Sequence, residues 1–267
     1  MKNSVSFLAL SLGLFCAQNV FAANTIVENG GSGTGNWVAD QSGLYNDFIP
    51  SGTIKRLAAS NGAILTVDGN LNIVGVKGSP WNTIDIRDAG TDVTINGNLT
   101  SSFAPNNDRV SHGIYLVSGK LTINGDTNLT EGYGYESKQA KSALYNYGGT
   151  ADINGNMDIL INGNIIYPGG KGLMANNNAL TEMKSTTGTP YLLSVTNNGS
   201  QRSVESQGGS LIDLDLVKLN GNSKFSNGMG MFAYGKDSRI RFMGGEFNDN
   251  YSSIPAATAM WHNIRAI

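Results

Sequence analysis

The chain has 267 residues, of which 14% are charged, and carries a formal net charge of −2 at pH 7. With no Lys/Arg run and a slight acidic excess, it lacks the basic footprint that nucleic-acid binding requires. One cysteine and two histidines leave no material for a disulfide framework or a Cys/His zinc site.

Residues 1–22 read as a secretory signal peptide. Lys2 supplies a weak positive start, Phe7 to Phe15 an apolar core, and Val20-Phe21-Ala22 a small-residue site, so cleavage is expected between Ala22 and Ala23. The stretch is too short to span a bilayer. The single cysteine, Cys16, lies inside it behind bulky Phe15, which argues against lipid attachment. Residues 23–60, with the run Gly30 to Gly35 followed by Trp37, Tyr45 and Phe48, are expected to form an N-terminal cap. The glycine run has no strand-to-helix context, so it is a cap segment and not a phosphate loop.

From residue 61 onward one phrase keeps returning: apolar, Asn or Asp, Gly, polar. It occurs at Val67-Asp68-Gly69-Asn70, Ile95-Asn96-Gly97-Asn98, Ile123-Asn124-Gly125-Asp126, Ile153-Asn154-Gly155-Asn156 and Leu219-Asn220-Gly221-Asn222, with a looser copy at Phe242-Met243-Gly244-Gly245. Glycines 69, 97, 125 and 155 are 28, 28 and 30 residues apart, a period that marks a stacked repeat. A second ladder, with members such as Thr83-Ile84-Asp85-Ile86, Gly113-Ile114-Tyr115-Leu116 and Ala143-Leu144-Tyr145-Asn146, keeps the same period. Between the ladders apolar residues alternate with a step of two, which reads as short strands.

The expected fold is therefore all-β: a right-handed parallel β-helix, or β-solenoid, with coils of about 28–30 residues over 61–267. Ile84, Ile86, Val93, Ile95, Ile114, Leu116, Leu121 and Ile123 are expected to point inward. Asn96, Asn124, Asn154 and Asn220 should stack at one equivalent turn as an amide ladder, with the Asn-Gly pairs supplying positive φ. Residues 176–202 break the rhythm and are expected to contain an irregular external loop. Ile267 follows soon after a new coil begins at Met260, so the chain is expected to be the N-terminal part of a longer parent or a truncated product.

The signal peptide, the cysteine-free mature sequence rich in Gly and Asn, and the repeated Asn-Gly coils together resemble an autotransporter passenger domain of type V secretion. The resemblance covers about residues 61–267 and rests on pattern and period. It implies passage through the periplasm and display at the outer membrane or cell surface, or release from it, by a C-terminal outer-membrane β-barrel in the full-length parent. It also implies adhesion or self-association as the function, with a host or neighbouring-cell protein or glycan, or a second copy, as the partner.

An extracellular polysaccharide hydrolase or lyase is the competing class. Asn82-Thr83-Ile84-Asp85, Ser111-His112-Gly113 and Arg239-Ile240-Arg241 resemble polygalacturonase motifs, but each departs from its pattern. Asp85 is followed along its ladder by Tyr115 and Tyr145, which provide no second acid for the carboxylate pair that glycoside hydrolysis uses. No catalytic residue, metal site or cofactor is expected, and a non-enzymatic role is favoured. A truncated passenger without function is the third possibility.

One face suggests recognition. The outward position of the second ladder is expected to hold Asp85, Tyr115, Tyr145, Met174, Ala233 and Trp261, with Tyr133, Tyr135 and Tyr147 nearby in sequence. Tyr115, Tyr145, Tyr147 and Trp261 form the candidate binding face, because exposed aromatics concentrate at recognition surfaces. The plainer alternative is that these rings simply cover a sheet, for which Tyr and Trp are well suited.

Overall fold

A computed structural model describes residues 27–29, 36–39, 44–45, 54–67, 69–75, 82–103, 112–131, 142–161, 171–197, 203–215, 217–223, 231–243, 247–249 and 264–266. Among them there is no helix; the strands form two nine-stranded sheets and one seven-stranded sheet. Each coil contributes one strand to each sheet in turn, as Ile84–Arg87, Asp92–Ile95 and Leu99–Phe103 do, followed by Ile114–Val117, Lys120–Ile123 and Thr127–Glu131. The chain is a β-solenoid. The period causes the pairing: after one coil the chain returns above its own counterpart, so Ile84 pairs Ile114, Ile114 pairs Leu144 and Leu144 pairs Leu173, all parallel.

The core is a set of such columns. All eight expected inward residues, from Ile84 to Ile123, are fully buried. A single coil cannot bury its own apolar face, so each coil depends on its two neighbours. One inward column narrows along the stack, from Ile86 and Leu116 through Asn146 and Ala175 to Ser206 and Ala233. Buried Asn146 is satisfied there: its Nδ2 donates to the Leu180 carbonyl (2.8 Å), and its Oδ1 accepts from the Gly149 amide (3.0 Å).

The turn between the second and third sheets carries the amide ladder. Asn124 Nδ2 donates to Asn96 Oδ1 (3.0 Å), and Asn154 Nδ2 donates to Asn124 Oδ1 (2.9 Å). A second ladder runs beside it, in which the backbone N–H of Asn98, Asp126 and Asn156 each meets the side-chain oxygen of Asn70, Asn98 or Asp126 one coil earlier. The glycines between them have a different role from the one expected. Of this column only Gly69 has positive φ (117°). Gly97, Gly125 and Gly155 are required because the backbones touch: a Cβ at Gly125 would sit 2.6 Å from the Gly97 carbonyl oxygen, and one at Gly155 2.4 Å from that of Gly125. The left-handed residues gather at the other corner, between the first and second sheets, at Asp88, Ser118, Gly148, Asn177, Asn178, Gly208 and Gly209.

Two further expectations are corrected. Asn220 is not part of the turn ladder: it lies within strand Val217–Ser223 of the third sheet, opposite Ser194. Seven residues pair in register with Tyr191–Asn197 there, and that long-range pairing overrides the local Asn-Gly signal. Ala233 is inward rather than outward, because Met231 takes the place above Val204; Phe232 takes the outward place above Glu205. Residues 176–202 hold the external loop that was expected, narrowed to an exposed bend at 185–190 between the strands Leu180–Lys184 and Tyr191–Asn197, which are in register with the preceding coil.

Within the expected cap, Val27–Asn29 pairs antiparallel with Asn36–Ala39, which joins the first sheet beside Arg56–Ala59, and Leu44–Tyr45 joins the second. The signal peptide with Ala22 and Ala23, and Tyr133, Tyr135 and Trp261, lie outside the described residues.

Gly125→Ala forces a methyl group into the Gly97 backbone, and overpacking of this kind costs about 1–3 kcal/mol. Gly188→Ala, in open space at φ 76°, meets only the left-handed penalty of roughly 1–2 kcal/mol. Denaturant unfolding should therefore rank Gly125→Ala below Gly188→Ala, and the reverse order would remove close backbone approach as the reason for glycine at 125.

Candidate functional site

Two outward columns make up the exposed face of the first sheet. The first holds Asp85, Tyr115, Tyr145, Met174, Glu205 and Phe232 in register. The second holds Arg87, Val117, Tyr147 and Asn176, and further along Gln207 beside Tyr234. Tyr115, Tyr145 and Tyr147 are thus brought onto one face by the coil period, as the sequence implied.

Their rings are used in different ways. Tyr115 and Tyr145 stack at 5.5 Å and 28°, at the spacing set by adjacent strands. His112 lies against both, at 5.4 and 4.8 Å. The Arg87 guanidinium sits 5.7 Å from the Tyr115 ring centre, a cation–π distance. The faces of Tyr115 and Tyr145 therefore already have partners within the protein, and both rings are partly buried. Tyr147 meets Tyr145 edge-on at 6.0 Å and remains more open, with 36% of its surface exposed. Tyr234 stacks against Phe232 at 6.1 Å and is 65% exposed. Burial pushes the Tyr115 phenol up, with Arg87 pulling it partly back. Burial also raises Tyr145, opposed by the hydrogen bond that Asn176 Nδ2 donates to its oxygen at 3.3 Å.

The charged members of this face are buried and paired. Asp85, 2% exposed, accepts from Arg87 Nε (2.8 Å), Arg56 (3.2 Å) and Asn82 Nδ2 (3.3 Å). Glu205 is fully buried, with Lys171 Nζ 3.0 Å away, and it also accepts from the Gln207 amide. His112 is held at both ends: its backbone N–H donates to Asn82 Oδ1 (2.7 Å), and its Nδ1 accepts from the Ser142 amide (3.0 Å).

Among the polygalacturonase-like residues, Asn82, Asp85 and His112 come together in this way. Arg239 and Arg241 lie on the second sheet, where Arg241 Nε donates to Asp213 at 2.8 Å. Asp85 is thus an acceptor for two guanidinium groups, and the hydrogen-bonding around His112 locks its ring in place.

The sequence places Ser203-Val204-Glu205-Ser206 as a weak member of the second ladder, two periods being spanned between Leu173 and Phe232, and the pairing of Val204 with Leu173 bears this out. One feature was missed. On the second sheet Asp152, Glu182 and Asp213 stand in register on successive coils, a carboxylate column that requires aligned strands to see. Lys120 lies 3.3 Å from Asp152, Lys184 bonds Glu182 and lies 3.6 Å from Asp213, and Arg241 bonds Asp213. The Glu182 carboxylate pushes the Lys184 ammonium up. Among the described residues no group of three or more His, Cys, Asp or Glu is arranged to hold a metal ion.

Compared with known protein families, with curated proteins and with solved structures, the chain finds no match. The reading of function therefore rests on the residues themselves.

Asp85→Asn removes a negative charge that two guanidinium groups share. Breaking a buried pair costs about 3–5 kcal/mol, and because the Arg87 side chain is half exposed the loss is expected at or below the low end of that range, seen as a lower midpoint in denaturant; an unchanged midpoint would deny Asp85 its structural role. Because Tyr115 and Tyr145 ionise later in the fold than in the unfolded chain, their contribution to stability is complete below about pH 10 and is lost as pH rises through their raised values. Alkaline titration followed by phenolate absorbance should show a late component that Tyr115→Phe and Tyr145→Phe each reduce. Full ionisation at the ordinary value would show that the stack is not formed.

Proposed function

We propose that this protein is an exported, autotransporter-like passenger acting in adhesion or self-association through non-covalent surface contacts. The observation that carries this reading is the division of labour on the first sheet. Its carboxylates are buried and paired, whereas its aromatic side chains reach the surface on a rigid, repeating frame. A rod of stacked coils holds more than one such contact on a fixed frame, and multivalency turns weak contacts into firm attachment. The partner is a protein or glycan of a host or neighbouring cell, or a second copy.

The test is to express the chain fused to an outer-membrane β-barrel in a non-adherent bacterium. Processing at Ala22–Ala23, read by N-terminal mass, together with cell clumping or attachment to surfaces, is the expected result. A chain that keeps its first 22 residues, or surface display without attachment, would overturn the proposal.

A second reading, a polysaccharide hydrolase or lyase, has the aligned Asp152, Glu182 and Asp213 in its favour. Against it, each carboxylate already has a cation at hand, and a general acid must be able to hold a proton. Release of reducing or unsaturated sugar ends from polysaccharide by the purified chain, abolished by Glu182→Gln, would install the enzyme in place of the adhesin.

A further inference from the structure

Tyr147 and Tyr234 stand in one outward column of the first sheet, with Asn176 and Gln207 between them. Tyr147 pairs Asn176, Gln207 pairs Tyr234, and Asn176 and Gln207 follow directly on the paired Ala175 and Ser206. Three coil steps of about 4.8 Å put the two rings roughly 14 Å apart. They are the only aromatics among the large exposed apolar side chains of the described residues. From this column we infer a binding ledge for an uncharged, linear oligosaccharide lying along the solenoid axis. The inference rests on the adhesion reading and names its ligand class.

The two amides between the rings are held in place from within. Asn176 donates to the Tyr145 hydroxyl and accepts from the Asn177 amide (2.8 Å), and Gln207 donates to Glu205. An amide has two donors and an acceptor with two lone pairs, so each keeps a donor and an acceptor for a ligand. Adjacent hydroxyl groups of a sugar ring are matched by such a pair, and the C–H face of the ring packs on an aromatic side chain. Buried Glu205 with its Lys171 partner explains itself in this light. A buried ion pair adds little net stability, but this one fixes the orientation of Gln207. The ligand is linear because the ledge is linear and repeats at the strand spacing.

The apolar area distinguishes a glycan from a second protein copy. Two separated tyrosines fall far short of the roughly 800 Å² per partner that a stable protein interface buries. They are sufficient for a ligand only a few rings long.

The test is calorimetric titration of the purified full chain with β-linked glucose and N-acetylglucosamine oligosaccharides, with galacturonic acid oligomers alongside. The uncharged oligomers should bind. Tyr147→Ala and Tyr234→Ala should each weaken binding about tenfold or more, as loss of an aromatic anchor does. Tyr147→Phe should keep most of the affinity, and Leu192→Ala, exposed on the third sheet, should leave it unchanged. Thermal melts that match wild type exclude misfolding as the cause. Failure of every uncharged oligomer to bind, binding of the acidic ones alone, or undiminished binding by the double alanine variant would overturn the ledge. Attachment of displaying cells separates the two claims. If the double variant attaches as wild type does, the ledge falls and adhesion stands; if wild-type cells do not attach while the purified chain binds sugar, adhesion falls and the ledge stands.

Discussion

Parallel pairing in register, one coil to the next, is the constraint from which the rest of this structure follows. Because residue i returns above itself after 28 to 30 residues, each position is repeated in space and a residue's nearest neighbour is its own counterpart. Apolar positions become continuous columns, asparagines become a ladder, and tyrosines become a stack. The same rule limits composition. A column that brings backbones together admits only glycine, as at Gly97, Gly125 and Gly155, and a column of like charges needs cations beside it, as Asp152, Glu182 and Asp213 have.

That constraint also shapes the candidate site. Aromatic rings repeated at the strand spacing satisfy one another face to face, so most of the aromatic surface visible in the sequence stabilises the stack. The rings left most open are those at which the stacking ends or turns edge-on: Tyr147, set at 69° to Tyr145, and Tyr234 beside Phe232. An exposed ring in a solenoid is therefore informative only in relation to what occupies the same column above and below.

Much of the fold was legible from period alone. The strands, the inward residues from Ile84 to Ile123 and the amide ladder at 96, 124 and 154 all follow from two signals sharing one repeat. What was not legible depends on register. Leu219-Asn220-Gly221-Asn222 has the same local text as the true turns, yet seven residues of pairing with Tyr191–Asn197 place it inside a strand. Met231 to Ala233 slipped by one because small Ala233 and larger Phe232 are equally acceptable in a strand, and only the narrowing column of Ala175 and Ser206 decides between them. The site was half visible: the tyrosines were, and Glu205 faintly so in a weak copy of the ladder, whereas Gln207 and Asn176 were hidden in polar segments that become a surface only once coils are aligned.

The short antiparallel strand Val27–Asn29 gives the stack a direction. Among the described residues every other strand pairing is parallel, but this strand runs the opposite way on Asn36–Ala39. A coil arriving at that edge would meet hydrogen-bonding groups in the wrong pattern, since antiparallel and parallel ladders space their bonds differently. Addition of a further parallel strand is thereby disfavoured at the Val27–Asn29 edge of the first sheet, whereas the second and third sheets end on that side in the parallel-paired strands Leu44–Tyr45 and Leu71–Gly75.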